Sequence, residues 1–406
     1  MLVAADAYLD GDETAPGSCA GELTAVFGDE SAVLDAAVLP VVEGTVTAMW
    51  HGGWLPYDLY RTAQRRGDGA AVAYLVDAIA AEGRQYAASR VHERWHDQLL
   101  QIDAVLWWEP ARPHLSQWAH RHGADVAGAL RTVIEVLALL RSLPVLPQIL
   151  PLPGTAVRGR AVSQRGVDQK VLTRVRALLA KAESTEFAEE AEALSAKAQA
   201  LMARHALERV VVEEADHREP EPATARRIWL DNPYIGAKAL VVNAVASANR
   251  CRTVLSEKLG FITVLGDEID LEAVELLTTS LLVQATRAML VAGSQITRHG
   301  QSRTRSYRQS FLVAYAVRIR ERLSNATDEA VSATRKEMGE TEPGGDSRLL
   351  PVLAARQRVV DELFDGLFPE LVQKAVSVSN SDGYRAGRAA ADLAMLDIRR
   401  PVGAGT

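Results

Sequence analysis

Cysteine and aromatic residues are scarce in this chain of 406 residues. Only Cys19 and Cys251 are present, which fits a reducing compartment and excludes a zinc cluster built from cysteines within one chain. Aromatic residues make up 5%, and together with abundant alanine this favours helix over sheet. The chain has no apolar run of roughly eighteen residues and no basic stretch followed by an apolar core at its start. We therefore expect a cytoplasmic protein without a membrane segment.

An excess of positive charge is also missing. The formal net charge is −7 and the isoelectric point is about 5.8, which argues against a protein that coats nucleic acid with its whole surface. Any such contact must come from a local patch. The fractions of hydrophobic residues, 48%, and charged residues, 24%, are those of an ordinary globular protein. At this length we expect several domains.

The pattern of apolar residues, prolines and turns predicts a mainly α-helical, multi-domain protein. Four prolines between Leu143 and Gly154 predict an extended linker, and Arg252–Ser256 with Phe261–Leu265 predicts one short β-hairpin. The predicted segments are a partly mobile lead-in (1–30), an N-terminal helical domain (31–142), a Pro-rich linker (143–166), a helical hairpin (167–212), an acidic linker (213–225), a small α+β domain with long helices (226–336), a loop (337–348) and C-terminal helices (349–400).

The helical hairpin has the clearest periodicity in the chain. Its apolar residues recur at helical spacing, first from Val171 to Ala182 and again from Ala191 to Met202. Ser184 and Thr185, which favour caps and turns, separate the two stretches. Two amphipathic helices with so short a connection should fold back on each other.

This stretch resembles a known family. LLAKAEST (178–185) and EEAEALSAKAQALMARH (189–205) are similar to the helical hairpin of a bacterial and phage family known as domain of unknown function 2786. The resemblance implies a hairpin followed by the domain at 226–336, and it implies no activity. Lys181, Glu190, Lys197 and Gln199 fall at the family's recurring polar positions. They form either a solvated face or a binding face for a protein or nucleic acid.

The string His92-Glu93-Arg94-Trp95-His96 has the H-E-x-x-H spacing of zinc hydrolases. On the helix predicted over Val91–Leu106, the two histidines would share a face and Glu93 would polarise a metal-bound water. Arg94 inside the string and the lack of a third ligand at a recognised spacing weaken that interpretation. Incidental surface histidines are the favoured alternative, a non-catalytic metal site is another, and we expect no cofactor.

A patch of positive charge follows in the α+β domain. Arg303, Arg305 and Arg308 fall at a predicted helix start, where fixed positive charge opposes the helix dipole. Either internal salt bridges, for example with an acidic neighbouring helix such as Asp267–Glu275, or an external polyanion should compensate them. The full patch between residues 293 and 323 comprises Arg298, Arg303, Arg305, Arg308, Arg318, Arg320 and Arg322, against Glu321 alone. Tyr307 and Phe311 interleave with it, either as platforms for stacked bases or as core residues.

These patterns lead to a prediction of a non-enzymatic cytoplasmic binding protein. Nucleic acid or another polyanion would bind through Arg298, Arg303, Arg305 and Arg308, with Lys181 and Lys197 on the hairpin. The alternatives are a zinc-dependent hydrolase and a protein-interaction scaffold. A further pair, Gly383 and Gly387, predicts close packing between helices rather than a phosphate-binding loop.

Overall fold

The computed structural model describes residues 1–27, 31–156, 162–184, 188–215, 222–291, 303–337, 349–371 and 379–393. As predicted, the protein is mainly α-helical and contains a small α+β unit. It divides into two compact units, Met1–Arg160 and Ala161–Thr406. Each unit has its own buried apolar core.

The N-terminal unit is built around its last helix. Its helices are α1 (Leu2–Leu9), α2 (Ala15–Val26), α3 (Ser31–His51), α4 (Pro56–Arg66), α5 (Gly69–Gly83), α6 (Glu93–Gln101), α7 (His114–His122) and α8 (Val126–Arg141). Helix α8 contacts α1, α2, α3, α5 and α7. Its residues Leu130, Val133, Ile134 and Leu137 are fully buried because neighbouring helices surround it on several sides.

Two helices, Leu2–Leu9 and Ala15–Val26, form in the segment that the sequence predicted as a partly mobile lead-in. Helices α1 and α2 pack on α8, with Ala4, Ala5 and Ala20 buried. Small side chains let helices approach closely while leaving little periodic signal in the sequence. The carboxylate of Asp6 also accepts a hydrogen bond from Arg141 at 2.6 Å, on the C-terminal turn of α8.

Helix α3 continues through Pro40 as one element. Within the described part of the chain, it contains the single stretch, Ala32–His51, that is long and apolar enough to cross a membrane. Val38, Val42 and Val46 lie on one face and are fully buried. That face therefore contributes to the core of the N-terminal unit.

The Pro-rich segment, predicted as an extended linker, forms hydrogen bonds with the N-terminal unit. The indole Nε1 of Trp54 donates to the carbonyl of Pro144 at 2.8 Å, and the amide of Leu146 donates to Gly52 at 2.8 Å. Gly53 has a φ of 78°. A Cβ there would lie 2.8 Å from the Leu146 carbonyl carbon. The turn before α4 therefore provides a donor to Pro144 and an acceptor to Leu146. The prolines of this segment have no backbone N–H and cannot donate such hydrogen bonds themselves.

The second unit contains the helical hairpin and a small antiparallel sheet. Its elements are α9 (Val162–Ser184), α10 (Ala188–Ala215), β1 (Thr224–Trp229), α11 (Ile235–Ala248), β2 (Arg252–Ser256), β3 (Phe261–Gly266), α12 (Glu268–Val291), α13 (Thr304–Glu337), α14 (Leu349–Leu367) and α15 (Ser381–Leu393). The sheet order is β1-β3-β2. The hairpin of β2 and β3 was predicted, whereas β1 was not.

Helix α13 is central to this unit and contacts α10, α11, α12 and α15. Gly387 packs directly on its backbone, because a Cβ there would lie 2.8 Å from the Phe311 carbonyl carbon. Gly383 packs in the same way on Tyr307, at 3.0 Å. The predicted close packing is present. Since both contacts advance by four residues in the same order, α13 and α15 run parallel.

Candidate functional site

Three arginines of the predicted patch gather at the start of α13. Arg303 immediately precedes the helix and Arg305 lies in its first turn, and both are exposed. Arg308, one turn on, is half-buried, and its Nε atom is enclosed without a hydrogen-bond partner. The first turn contains no acidic residue. Arg298 and its neighbour His299 lie outside the described residues.

The acidic start of α12 does not compensate these arginines, because other arginines pair with it. The pairs are Arg226 with Glu268 and Glu275, Arg209 with Asp267, Arg250 with Asp270, and Arg176 with Glu272. Among the residues that the structure describes, no ion pair joins Arg303, Arg305 or Arg308 to a carboxylate. The acidic start of α12, the example of internal compensation that the sequence offered, thus forms no ion pair with these three arginines in the described part of the chain.

Further along α13, two of the arginines, Arg318 and Arg322, form contacts within the fold. Arg318 donates to Glu321 at 2.8 Å, and Arg388 from α15 reaches the same carboxylate at 3.3 Å. The hydrogen bond from Arg318 lowers the pKa of Glu321. Arg322 donates to the carbonyl of Ala391. These contacts hold α13 and α15 together, whereas Arg320 on the same helix is exposed.

The two aromatic residues in the patch belong to the core. Tyr307 is 5% exposed and Phe311 is 1% exposed. Phe311 stacks on Tyr315 with ring centroids 6.2 Å apart. A base cannot stack on either ring in this conformation. The base-stacking interpretation is wrong, and the interpretation of Phe311 as a core residue is confirmed.

The dipoles of two helices reinforce the positive charge. Because α13 and α15 run parallel, their partly positive N-terminal ends point in the same direction. The start of α15 is held by Ser310 of α13, whose hydroxyl accepts from the amides of Ser379 and Asn380 at 3.3 and 3.1 Å. Asn380 in turn accepts from the amide of Gly383 at 2.9 Å. At the start of α13, arginine side chains combine with the helix dipole, which favours anions. The first turn of α15 carries Asp382, which pairs with Arg385.

The recurring polar positions of the hairpin differ in their exposure to solvent. Lys181 on α9 and Lys197 on α10 are exposed, and they lie on a different element from the α13 arginines. Gln199 is buried, and both polar atoms of its amide lack a hydrogen-bond partner. A solvated face is therefore wrong for Gln199. The side chain of Glu190 lies outside the described part of the structure.

The H-E-x-x-H string does not form a helical pair of histidines. His92 precedes α6 in extended conformation, and its Nδ1 accepts the amide of Arg94 at 3.2 Å as the helix N-cap. His96 lies within the helix, with its Nε2 3.1 Å from the carbonyl of Ala88. The predicted helix over Val91–Leu106 starts too early. Within the described ranges, no group of three His, Cys, Asp or Glu residues could hold a metal ion.

A buried polar cluster elsewhere in the N-terminal unit had no signal in the sequence. The Nε2 of His114 is 2.8 Å from Asp77, and the same carboxylate accepts from the indole of Trp107 at 2.8 Å. The ring of His114 packs on Trp108 with centroids 4.4 Å apart. The cluster joins α5, α7 and the loop between α6 and α7. It gives His114 a structural role in the core of the N-terminal unit.

Comparison with known proteins identifies one segment. Residues 170–209 match a family model described as "Protein of unknown function (DUF2786)". No curated protein matches the chain, and no solved structure matches it. The matched residues lie in α9 and α10, where the resemblance was recognised. The α9–α10 hairpin is therefore the part of this chain that matches the family of unknown function DUF2786.

Proposed function

We propose that the protein is a non-enzymatic cytoplasmic binding protein that holds a polyanion, with nucleic acid as the leading candidate, at the start of α13. The supporting observation is the set of three arginines without a carboxylate partner among the described residues. Each charge at the positive end of a helix costs about 0.3–1 kcal/mol. An anion bound from outside would remove that cost.

The chemistry of the surface favours phosphate over base recognition. An arginine guanidinium can donate two parallel hydrogen bonds to a phosphate. Because Tyr307 and Phe311 are buried, neither of these two rings offers a stacking platform for bases. We therefore expect weak sequence preference and no strong preference for single strands. Lys181 and Lys197 are exposed on the hairpin and would supply further phosphate contacts.

The test is a salt series of fluorescence anisotropy titrations with labelled duplex DNA and RNA. On duplex DNA, each phosphate neutralised contributes about 0.9 to the slope of log K against log salt. Replacing Arg303, Arg305 and Arg308 together with alanine should flatten that slope by about 2.7 units. The affinity at low salt should fall for every sequence tested, because phosphate contacts carry no sequence information.

A matched variant tests whether the change in slope comes from these three arginines or only from the lower net charge. It removes three arginines that each pair with a carboxylate three or four residues away, namely Arg112, Arg131 and Arg204. It should retain the slope of the unmodified protein. Absence of binding at low salt, or equal slopes for both triple variants, would contradict the proposal. Absence of binding would favour the protein-interaction scaffold. The zinc hydrolase gains no support, because His92 lies outside the helix.

A further inference from the structure

A cavity of about 370 Å³ lies in the N-terminal unit, bounded by α3, α4, α5 and α6. Its volume falls within the range of small-molecule sites, roughly 300–1,000 Å³. Most of its wall is apolar, and four residues bring charge or a titratable ring: Glu82, Arg84, Tyr86 and His96. No sequence motif indicated it, because the lining residues are dispersed between Trp50 and Pro153.

Glu82 supplies the polar anchor of the cavity. Glu82 is only 3% exposed. Its Oε1 accepts three hydrogen bonds, from Thr47 Oγ1 at 2.9 Å, Gln85 Nε2 at 2.9 Å and Tyr86 Oη at 2.6 Å. Within the described structure, no group donates to Oε2. Oε2 is accessible rather than enclosed, so a donor group of a ligand in the cavity can reach it.

The charges around Glu82 favour a cationic donor. Burial raises the pKa of Glu43, and the nearby negative charge of Glu82 raises it further. Arg84 is exposed at the end of α5 and opposes the two carboxylates only from the rim. A positively charged group inside the cavity would thus meet more negative than positive charge.

The aromatic wall suits the same class of ligand. Trp50 and Trp95 meet edge to face with ring centroids 5.0 Å apart, and neither indole Nε1 has a hydrogen-bond partner. Tryptophan faces attract cations as well as apolar groups. At the edge of the cavity, Val105 is 53% exposed and Leu106 is 38% exposed. An apolar ligand would cover part of this surface.

We propose that this cavity binds a small apolar amine, with its ammonium group on Glu82 Oε2 and its hydrocarbon body against Trp50 and Trp95. The site is independent of the α13 arginines, which lie in the other unit. Hydrogen bonds to a charged group contribute about 1.5–3 kcal/mol. That range corresponds to roughly 10–150-fold in the dissociation constant.

The experiment titrates the full chain with 2-phenylethylamine, by calorimetry and by tryptophan emission. The amine should bind, and 3-phenylpropionate, with the same ring and the opposite charge, should not. Glu82→Gln should weaken amine binding by about tenfold or more. Glu22→Gln is the matched control, because Glu22 is exposed on α2 and does not line the cavity. It should bind the amine like the unmodified protein.

A second variant keeps the test decisive if Glu82→Gln perturbs folding. Gly83 lines the cavity, and a Cβ there would meet no atom within 4 Å. Gly83→Leu should therefore fold, reduce the cavity volume and abolish amine binding. The proposal is overturned if the amine does not bind at millimolar concentration, if the acid binds as well as the amine, or if neither Glu82→Gln nor Gly83→Leu weakens binding.

Discussion

Replacing Gly387 with alanine should separate α15 from α13 at their closest contact. The added Cβ would lie 2.8 Å from the carbonyl carbon of Phe311 and 2.9 Å from its Cα, where ordinary contacts are 3.4–4 Å. The obstructing atoms belong to the backbone, so no side chain can rotate away. One helix must move by about 0.6 Å or more, which breaks close packing along the shared face.

The magnitude follows from two opposing effects. Overpacking of this kind costs about 1–3 kcal/mol, and backbone obstruction places Gly387→Ala at the upper end. Alanine in a helix is favoured over glycine by roughly 0.5–1 kcal/mol. The expected net loss is about 2 kcal/mol, which corresponds to about 30-fold in the equilibrium between open and closed states.

The assay is amide hydrogen exchange of the full chain, read by mass spectrometry on peptides from α13. Tryptophan fluorescence would report mainly on the other unit, since Trp229 is the single tryptophan after residue 160. Slow amides of α13 should exchange about 30-fold faster in Gly387→Ala. Gly366→Ala is the control, because a Cβ at Gly366 in α14 would meet no atom within 4 Å. Equal exchange in the two variants would refute the close contact.

Three further predictions concern single residues. At pH 8, a thiol reagent should label Cys19 and spare Cys251 until the protein unfolds, because burial raises the pKa of the Cys251 thiol and leaves little thiolate. In thermal melts of the N-terminal unit, His92→Ala should lose about 1 kcal/mol, His92→Asn should retain the cap, and added zinc should stabilise neither variant. Gly53→Ala should cost about 1–3 kcal/mol because of the positive φ and the contact with Leu146, whereas Gly44→Ala, with open space around its Cβ, should not.

Features with a local cause could be predicted from the sequence. The hairpin follows from apolar spacing within each helix and from the short connection between them. The contact at Gly383 and Gly387 follows from two residues without side chains on one helical face. The core position of Phe311 follows from its spacing with Leu312 and Tyr315. In each case, the residues that create the signal are close neighbours in the chain.

Features that depend on distant partners could not be predicted. Strand β1 pairs with β3, with Ala225 opposite Leu265 and Trp229 opposite Phe261. Its two central arginines interrupt the alternation of apolar and polar residues that would indicate a strand in the sequence. Arg226 is tolerated there because Glu268 and Glu275 neutralise it from α12. The cavity near Glu82 likewise depends on residues from several helices and loops. Such features form only when distant segments of the chain pack together, so the spacing of residues along the sequence does not indicate them.

The parallel contact of α13 with α15 has a consequence for biosynthesis. The face of α13 that carries Tyr307 and Phe311 is translated about 76 residues before the glycines that cover it. At ~5–20 residues per second, the ribosome needs roughly 4–15 s for that interval. During this time the face of α13 that packs on Gly383 and Gly387 lacks its partner helix. Release from the ribosome before residue 383 would leave that surface open to chaperones and to aggregation.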